Sequence, residues 1–74
     1  MSSRYLQNNI KELRLLNQKM TQEKLALKVN LSRQTISAIE SGKHSPNLED
    51  AMNIAEIFNK HVEEVFFWSD QSKI

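Results

Sequence analysis

Residues 21–43, which read TQEKLALKVNLSRQTISAIESGK, decide the fold because they predict two short helices joined by a tight turn. Thr21 is a favourable N-cap for the first helix, since its hydroxyl accepts a hydrogen bond from a free amide of the first turn. The apolar face of this helix consists of Leu25, Ala26 and Val29. Asn30 ends the helix, because asparagine tolerates the left-handed conformation that a sharp C-terminal turn requires.

The second helix begins at Ser32, another favourable N-cap, after Leu31 in the turn. Ile36 and Ile39 recur at i and i+3 and are expected to face the first helix, and Gly42 supplies the C-terminal stop. The opposite, exposed stripe consists of Arg33, Gln34, Ser37, Ala38 and Ser41. Two helices with a three-residue turn have the geometry of a helix-turn-helix, whose second helix lies in the major groove of DNA.

The side chains of the exposed stripe suit base recognition. An arginine can bond bidentately to guanine, a glutamine can do so to adenine, and a small alanine can lie beside a thymine methyl group. The N-terminal half of a recognition helix is the part that meets base edges. The alternative is a solvated polar face on an ordinary helical hairpin. The predicted base contacts are Arg33, Gln34, Ser37 and Ala38.

The order and spacing of these residues resemble the Cro/repressor (Xre-like) helix-turn-helix family. The matching segments are TQEKLA, SRQTISAIESGK, SPNLEDAMNIAEIF and VEEVFFW, and the resemblance covers residues 10–66. The closing FFW and the short N-terminal extension are most similar to small stand-alone members of the cytolysin repressor type. The resemblance implies an all-α, lambda-repressor-like bundle of five short helices in a single domain, residues 1–74.

The resemblance also implies a structural ion pair between Arg14 and Glu40. Arg14 precedes Thr21 by seven residues, whereas the family usually has six, so either the loop at residues 17–19 carries one extra residue or the pair is displaced. Gln22 resembles the family glutamine that bonds a phosphate and braces the first residue of the recognition helix. The alternative for Gln22 is a plain glutamine in the capping region.

A second set of residues is predicted to contact phosphates. The N-terminus of a helix favours an anion, and in the family the loop after the recognition helix touches the DNA backbone. These contacts would fix the position of the protein on the DNA duplex and contribute most of the salt-dependent affinity. The predicted phosphate contacts are Gln22, Thr35, Lys43, His44, Asn47 and, as a weaker candidate, Lys28.

The remaining helices are predicted from apolar periodicity. The first spans residues 9–18, capped by Asn8, with a buried stripe of Ile10, Leu13 and Leu16 or Leu15. The fourth spans residues 48–58, with Asn47 as its cap and an apolar face of Leu48, Ala51, Met52, Ala55 and Phe58, widened by Ile54 and Ile57. A fifth closes the core with Val62, Val65 and Phe66. For residues 4–6, the resemblance to the small stand-alone repressors implies a short strand paired with the C-terminal segment, giving a two-strand ribbon, and the alternative is a frayed terminus.

Phe66, Phe67 and Trp68 are three consecutive aromatic residues, which cannot all face one core. Large aromatic side chains are favoured in protein interfaces. We therefore expect Phe67 and Trp68 to contact a second subunit, with intramolecular packing as the alternative.

Composition excludes several classes of function. A chain of 74 residues buries only roughly 60% of the surface that its unfolded form exposes, and a dimer interface is one remedy. It has no cysteine, which excludes disulfides and cysteine catalysis and is compatible with a cytoplasmic location. The two histidines, His44 and His61, share no helical face, so we expect no metal site. No nucleophile–base arrangement, phosphate loop, cofactor site, small-molecule effector site or membrane span is indicated, and we expect no enzyme.

The two halves of the chain differ in charge. Residues 1–43 have eight basic and three acidic side chains, a net charge of +5. Residues 44–74 have two basic and six acidic side chains, a net charge of −4. The basic half contains the helix-turn-helix and is expected to meet a polyanion first.

Together these patterns predict a sequence-specific DNA-binding transcription regulator, a repressor that binds a palindromic operator as a homodimer. The alternative is an antitoxin or protein-interaction module that masks a partner protein through the acidic half.

Overall fold

The computed structural model describes residues 4–70, which form five helices preceded and followed by a short strand. Their order is β1 (Arg4–Asn8), α1 (Ile10–Leu16), α2 (Gln22–Val29), α3 (Arg33–Glu40), α4 (Leu48–Ile57), α5 (Val62–Val65) and β2 (Phe66–Asp70). This confirms the predicted all-α bundle with a small ribbon. None of these helices is long and apolar enough to cross a lipid bilayer.

The ribbon joins the two ends of the described chain. β1 and β2 are antiparallel, with Tyr5 opposite Ser69 and Asn8 opposite Phe66. The backbone N–H of Asn9 then donates to the carbonyl oxygen of Val65 at 3.1 Å, where the ribbon meets α1 and α5. The strand prediction for residues 4–6 is therefore confirmed, and the alternative of a frayed terminus is wrong.

The core lies at the centre of the five helices, and each helix contributes at least one buried apolar side chain. Fully burying one valine, leucine or isoleucine side chain stabilises the fold by about 1.5–3 kcal/mol. The predicted apolar faces of α2 and α3 are confirmed, because all their members are buried. The large side chains that are fully buried are Ile10, Leu25, Ile36, Ile39, Ile54 and Val65.

The predicted bounds and buried stripe of α1 are partly wrong. The helix ends at Leu16 because Gln18 and Lys19 have left-handed backbones, with φ of 57° and 55°. Leu15 and Leu16 are 51% and 83% exposed, so neither lies in the core. The inward-facing positions C-terminal to Ile10 are instead Leu13, which is partly buried, and Arg14, which is 7% exposed.

The predicted apolar face of α4 is also partly wrong. Leu48 and Met52 are 70% and 55% exposed, because α4 packs against α2 and α5 through a face centred on Ile54. Ala51 and Ala55 flank Ile54 on the buried side, as expected for positions three before and one after it. The helix ends at Ile57, one residue before the predicted end, and its predicted N-cap Asn47 accepts from the Asp50 N–H at 2.8 Å.

Candidate nucleic-acid interface

Helix α3 has one face in the core and one face open to solvent. Ile36 and Ile39 are 0% and 2% exposed and face the bundle. Arg33 and Gln34, in the first turn, are exposed, whereas Ser37 and Ala38 are partly buried. The four predicted base-contacting residues therefore lie on the outer side of α3, and the first two are the most accessible of them.

Local capping fixes both ends of α3. At its start, Ser32 Oγ accepts from the Thr35 N–H at 3.0 Å, which satisfies one of the free amides of the first turn. At its end, Gly42 has a φ of 83°, and the N–H groups of Gly42 and Lys43 donate to the carbonyl oxygens of Ile39 and Ala38 at 3.1 and 2.9 Å. This pattern is a Schellman motif, which turns the chain sharply and sets where the loop after α3 begins.

The turn between α2 and α3 has the geometry expected from the sequence. Thr21 caps α2 by accepting from the Lys24 N–H at 3.0 Å. Asn30 adopts the left-handed conformation, with φ of 60° and ψ of 43°, and Leu31 follows it partly buried against the core. The helix-turn-helix is therefore stabilised by short-range hydrogen bonds at each junction.

A buried ion pair connects α1 to the end of α3. Arg14 Nε donates to Glu40 Oε2 at 2.6 Å, and Arg14 Nη2 donates to Glu40 Oε1 at 3.1 Å. Both side chains are only 9% exposed, and Arg14 Nη1 also donates to the carbonyl oxygen of Met20 at 2.8 Å. The pair is not displaced, which agrees with the first alternative, an extra residue in the loop at residues 17–19, where Gln18 and Lys19 have left-handed backbones.

Gln22, the first residue of α2, contacts both the buried pair and α3. Its Nε2 donates to Glu40 Oε1 at 3.0 Å. Its Oε1 accepts a long hydrogen bond of 3.4 Å from Arg33 Nη1. The bracing of the first α3 residue that the resemblance implied is thus present, and one N–H of the Gln22 amide is left for a phosphate.

The structure groups most of the predicted phosphate contacts around α3. Thr35 lies in the first turn, and its hydroxyl is 2.8 Å from the Ser32 hydroxyl. Lys43, His44 and Asn47 are exposed in the loop that leaves the other end of α3. Asn47 uses its Oδ1 as the α4 cap, so only its amide N–H groups remain for a phosphate.

Lys28 is placed differently from the other predicted phosphate contacts. It is exposed, but it lines a shallow groove with Asn17, Met20 and Ile57, on the side of α2 that faces the α1–α2 loop and α4. Gln22 lies on the edge of α2 that contacts α3. The structure therefore does not bring Lys28 together with the residues around α3.

Phe67 and Trp68, the predicted dimer contacts, are exposed on β2. Phe67 is 39% exposed and Trp68 is 58% exposed, whereas the preceding Phe66 is 8% exposed and closes the core. Successive residues of a strand point to opposite faces, so Phe67 and Trp68 lie on different faces of the ribbon. Tyr5, which is 49% exposed, lies opposite Ser69 on the same face as Phe67.

Sequence reasoning missed one contact between the ribbon and α3. Asn8 was predicted only as the α1 cap, and its Oδ1 does accept from the Ile10 N–H at 3.1 Å, although Asn9 occupies the N-cap position. Its Nδ2 also donates to the carbonyl oxygen of Ile39 at 3.0 Å, across 31 residues of sequence. No local pattern signals a contact at this separation.

Comparisons with known proteins agree with this geometry. Residues 10–65 match the helix-turn-helix family. The chain belongs to the Cro/Xre-like helix-turn-helix family. This confirms the resemblance seen in the sequence. The match covers the five helices and ends at the last residue of α5, so the family pattern does not include the ribbon.

Relatives of similar length occur in archaea and bacteria. An uncharacterized helix-turn-helix-type transcriptional regulator of Methanocaldococcus jannaschii is 45% identical over 65 residues, covering 88% of this chain and 97% of the relative. A similarly named protein of Archaeoglobus fulgidus is 39% identical over 66 residues, covering 89% and 92%. The regulator YgzD of Bacillus subtilis is 37% identical over 67 residues, covering 90% and 100%.

Proposed function

We propose that this protein is a sequence-specific DNA-binding transcriptional regulator that acts as a repressor. The observation that carries the proposal is the exposure of Arg33 and Gln34 in the first turn of α3, with Ile36 and Ile39 holding the helix on the bundle. Residues at this end of a recognition helix are the ones that meet base edges in the major groove. In this proposal residues 1–74 act as one DNA-binding domain.

Each exposed residue has a role in the proposed complex. Arg33 binds guanine through its planar guanidinium, and Gln34 binds adenine through its amide. Ser37 and Ala38 are partly buried. The Ser37 hydroxyl forms a hydrogen bond with a base edge, and Ala38 makes an apolar contact with a thymine methyl group. Together they read a short run of base pairs in one half-site.

Phosphate contacts at both ends of α3 would fix the position of this helix along the major groove. Gln22 and Thr35 lie near the start of α3, and Lys43, His44 and Asn47 lie in the loop after its end. Such contacts position the protein without reading sequence. Lys28 is a weaker contact in this proposal, because it lies on the other side of α2.

We propose that the protein binds a palindromic operator as a homodimer. Large aromatic side chains are enriched in protein interfaces, and the ribbon exposes Tyr5 and Phe67 on one face and Trp68 on the other. A two-fold dimer through the ribbon would present two α3 helices to successive major grooves, with half-site centres roughly 34 Å apart. Repression would follow from occupancy of the operator, in the cytoplasm and without catalysis.

A second candidate function is the masking of a partner protein. An open groove between α4 and α5 is lined by the exposed Leu48 and Met52 together with the acidic Glu49, Glu56 and Glu63. An apolar surface edged by carboxylates suits a basic amphipathic segment. Size-exclusion chromatography with the products of neighbouring genes tests this function. A stoichiometric complex that a Met52→Glu substitution abolishes supports masking, and elution of each protein alone contradicts it.

Selection of bound sequences from a random DNA library tests the main proposal. We expect enrichment of an inverted repeat whose half-sites are about one helical turn apart. Recovery of unrelated sequences, with no shared motif, contradicts sequence-specific binding. Recovery of a single, unrepeated motif retains specific binding but contradicts the symmetric dimer.

A further inference from the structure

Four side chains form a continuous hydrogen-bonded chain from the core to the exposed face of α3. Arg14 contacts both carboxylate oxygens of Glu40, at 2.6 and 3.1 Å. Glu40 Oε1 also accepts from Gln22 Nε2 at 3.0 Å, and Gln22 Oε1 accepts from Arg33 Nη1 at 3.4 Å. From the interior outward the order is therefore a guanidinium, a carboxylate, a neutral amide and a second guanidinium, which belongs to the first residue of the recognition helix.

The chemistry of this chain fixes the orientation of the Gln22 amide. An ionised carboxylate only accepts hydrogen bonds, and a guanidinium only donates them. The amide has one accepting and one donating end, so a single orientation satisfies both Glu40 and Arg33. Without Glu40 only the long 3.4 Å contact with Arg33 favours this orientation, so the Gln22 side chain is free to move away from the guanidinium.

We propose that Glu40, held by Arg14, is a positioning residue for base recognition: it orients the Gln22 amide, which in turn aims Arg33 at its base pair. A bidentate contact requires the planar guanidinium to be aligned with the base edge, and a long exposed side chain otherwise samples many rotamers. The inference rests on the proposed function and deepens it. It assigns the buried ion pair a role in specificity that is separate from holding α1 and α3 together.

A purely architectural role for the pair makes a different prediction. If Arg14 and Glu40 only set the angle of α3, removing them displaces Arg33 and Gln34 together. Gln34 has no part in the hydrogen-bonded chain, so its base preference serves as an internal control. A loss of discrimination that is confined to the base pair read by Arg33 indicates positioning through Gln22.

The test uses two variants that break the chain at different links. Gln22→Met removes the amide and leaves the ion pair intact. Arg14→Met combined with Glu40→Leu replaces the buried pair by apolar side chains, a change that buried ion pairs often tolerate. Binding is measured by fluorescence anisotropy on the selected operator and on duplexes with one base pair changed at a time. Arg33→Ala and Gln34→Ala identify the base pair that each side chain reads.

We expect the wild type to discriminate about 5- to 150-fold at the Arg33 base pair, the range of one bidentate contact. Each variant should reduce this discrimination by at least about threefold, while discrimination at the Gln34 base pair stays within about twofold of the wild type. Adding Gln22→Met to the double variant should cause no further loss of discrimination at the Arg33 base pair, because both changes break the same series of hydrogen bonds. Circular dichroism checks folding, and if the apolar pair fails to fold, Arg14→Leu with Glu40→Met replaces it, since this pair also leaves Gln22 Nε2 without its acceptor.

Two results would overturn the proposal while leaving the proposed function intact. One is unchanged discrimination at the Arg33 base pair in folded variants. The other is an equal loss at the Arg33 and Gln34 base pairs, which assigns the pair an architectural role. A wild type that discriminates at no base pair overturns both this inference and the proposed function.

Discussion

The side chain of Asn8 donates to the carbonyl oxygen of Ile39 at 3.0 Å and so ties the ribbon to the last turn of α3. The same carbonyl also accepts from the Gly42 N–H at 3.1 Å, so Asn8 is the second donor to it. The other end of the same amide accepts from the Ile10 N–H at 3.1 Å. One residue therefore holds β1, the start of α1 and the end of the recognition helix in a fixed arrangement.

We predict that Asn8→Ala lowers the free energy of unfolding by about 1–3 kcal/mol, because it leaves the Ile10 N–H without its acceptor and removes one of the two donors to the Ile39 carbonyl. Asn8→Asp keeps an acceptor for Ile10 but turns a carboxylate toward the Ile39 carbonyl, at the negative end of the α3 dipole. It should therefore destabilise at least as much as alanine, although aspartate is a good helix cap. Urea denaturation measures both variants. An Asn8→Asp variant as stable as the wild type would show that only the α1 contact matters.

Removing one member of the buried ion pair should cost far more stability than removing both. Arg14→Met leaves the Glu40 carboxylate, which is 9% exposed, without its ionic partner, and we expect a loss of about 3–5 kcal/mol. Replacing Glu40 by Leu in the same protein should recover most of that loss. Urea denaturation of the two variants checks this. Equal losses of stability in the single and double variants would contradict this prediction.

The local chemistry of the sequence predicts α2 and α3 well. Thr21, Asn30, Ser32 and Gly42 each act within a few residues of their own position, and the structure shows each in its predicted capping or turn role. Caps and left-handed turns depend on nearby backbone groups, so a single sequence contains the information needed to predict them.

The buried faces of α1 and α4 were harder to predict, because these helices have more apolar residues than the core can hold. Leu16 and Leu48 fit the helical period yet are 83% and 70% exposed. Which edge of a wide apolar stripe becomes buried depends on the packing partners, which periodicity does not reveal. The contact of Gln22 with Glu40 spans 18 residues and likewise has no local signal.

The dimer proposal predicts that a charge on the ribbon produces a monomer. Phe67→Glu places a carboxylate on the face that also carries Tyr5, and burying it against a partner would be costly. Analytical ultracentrifugation should show a dimer for the wild type and a monomer for this variant. Leu16→Glu is the matched control, because Leu16 is 83% exposed on α1, and this variant should remain a dimer. A wild type that sediments as a monomer at all concentrations would contradict the proposal.

Phosphate contacts around α3 predict a steep dependence of DNA affinity on salt. Each neutralised phosphate contributes about −0.9 to the slope of log affinity against log salt concentration. Lys43→Ala should reduce the magnitude of the slope by about 1 and weaken binding equally for all sequences. Lys60→Ala is the control, because Lys60 lies beside the acidic groove between α4 and α5. A salt-independent affinity of the wild type would contradict phosphate binding.

The central claim, that α3 reads bases through its exposed first turn, is tested most directly by Gln34→Ala. Gln34 is exposed, and no hydrogen bond from its side chain is among those described for residues 4–70, so its loss should leave the fold intact. Affinities for the operator and for each single base-pair change give the measurement. We predict that discrimination falls by about 1–3 kcal/mol at one base pair in each half-site and is retained at the others. An equal loss of affinity for every sequence would contradict base recognition by Gln34 and assign it to the DNA backbone.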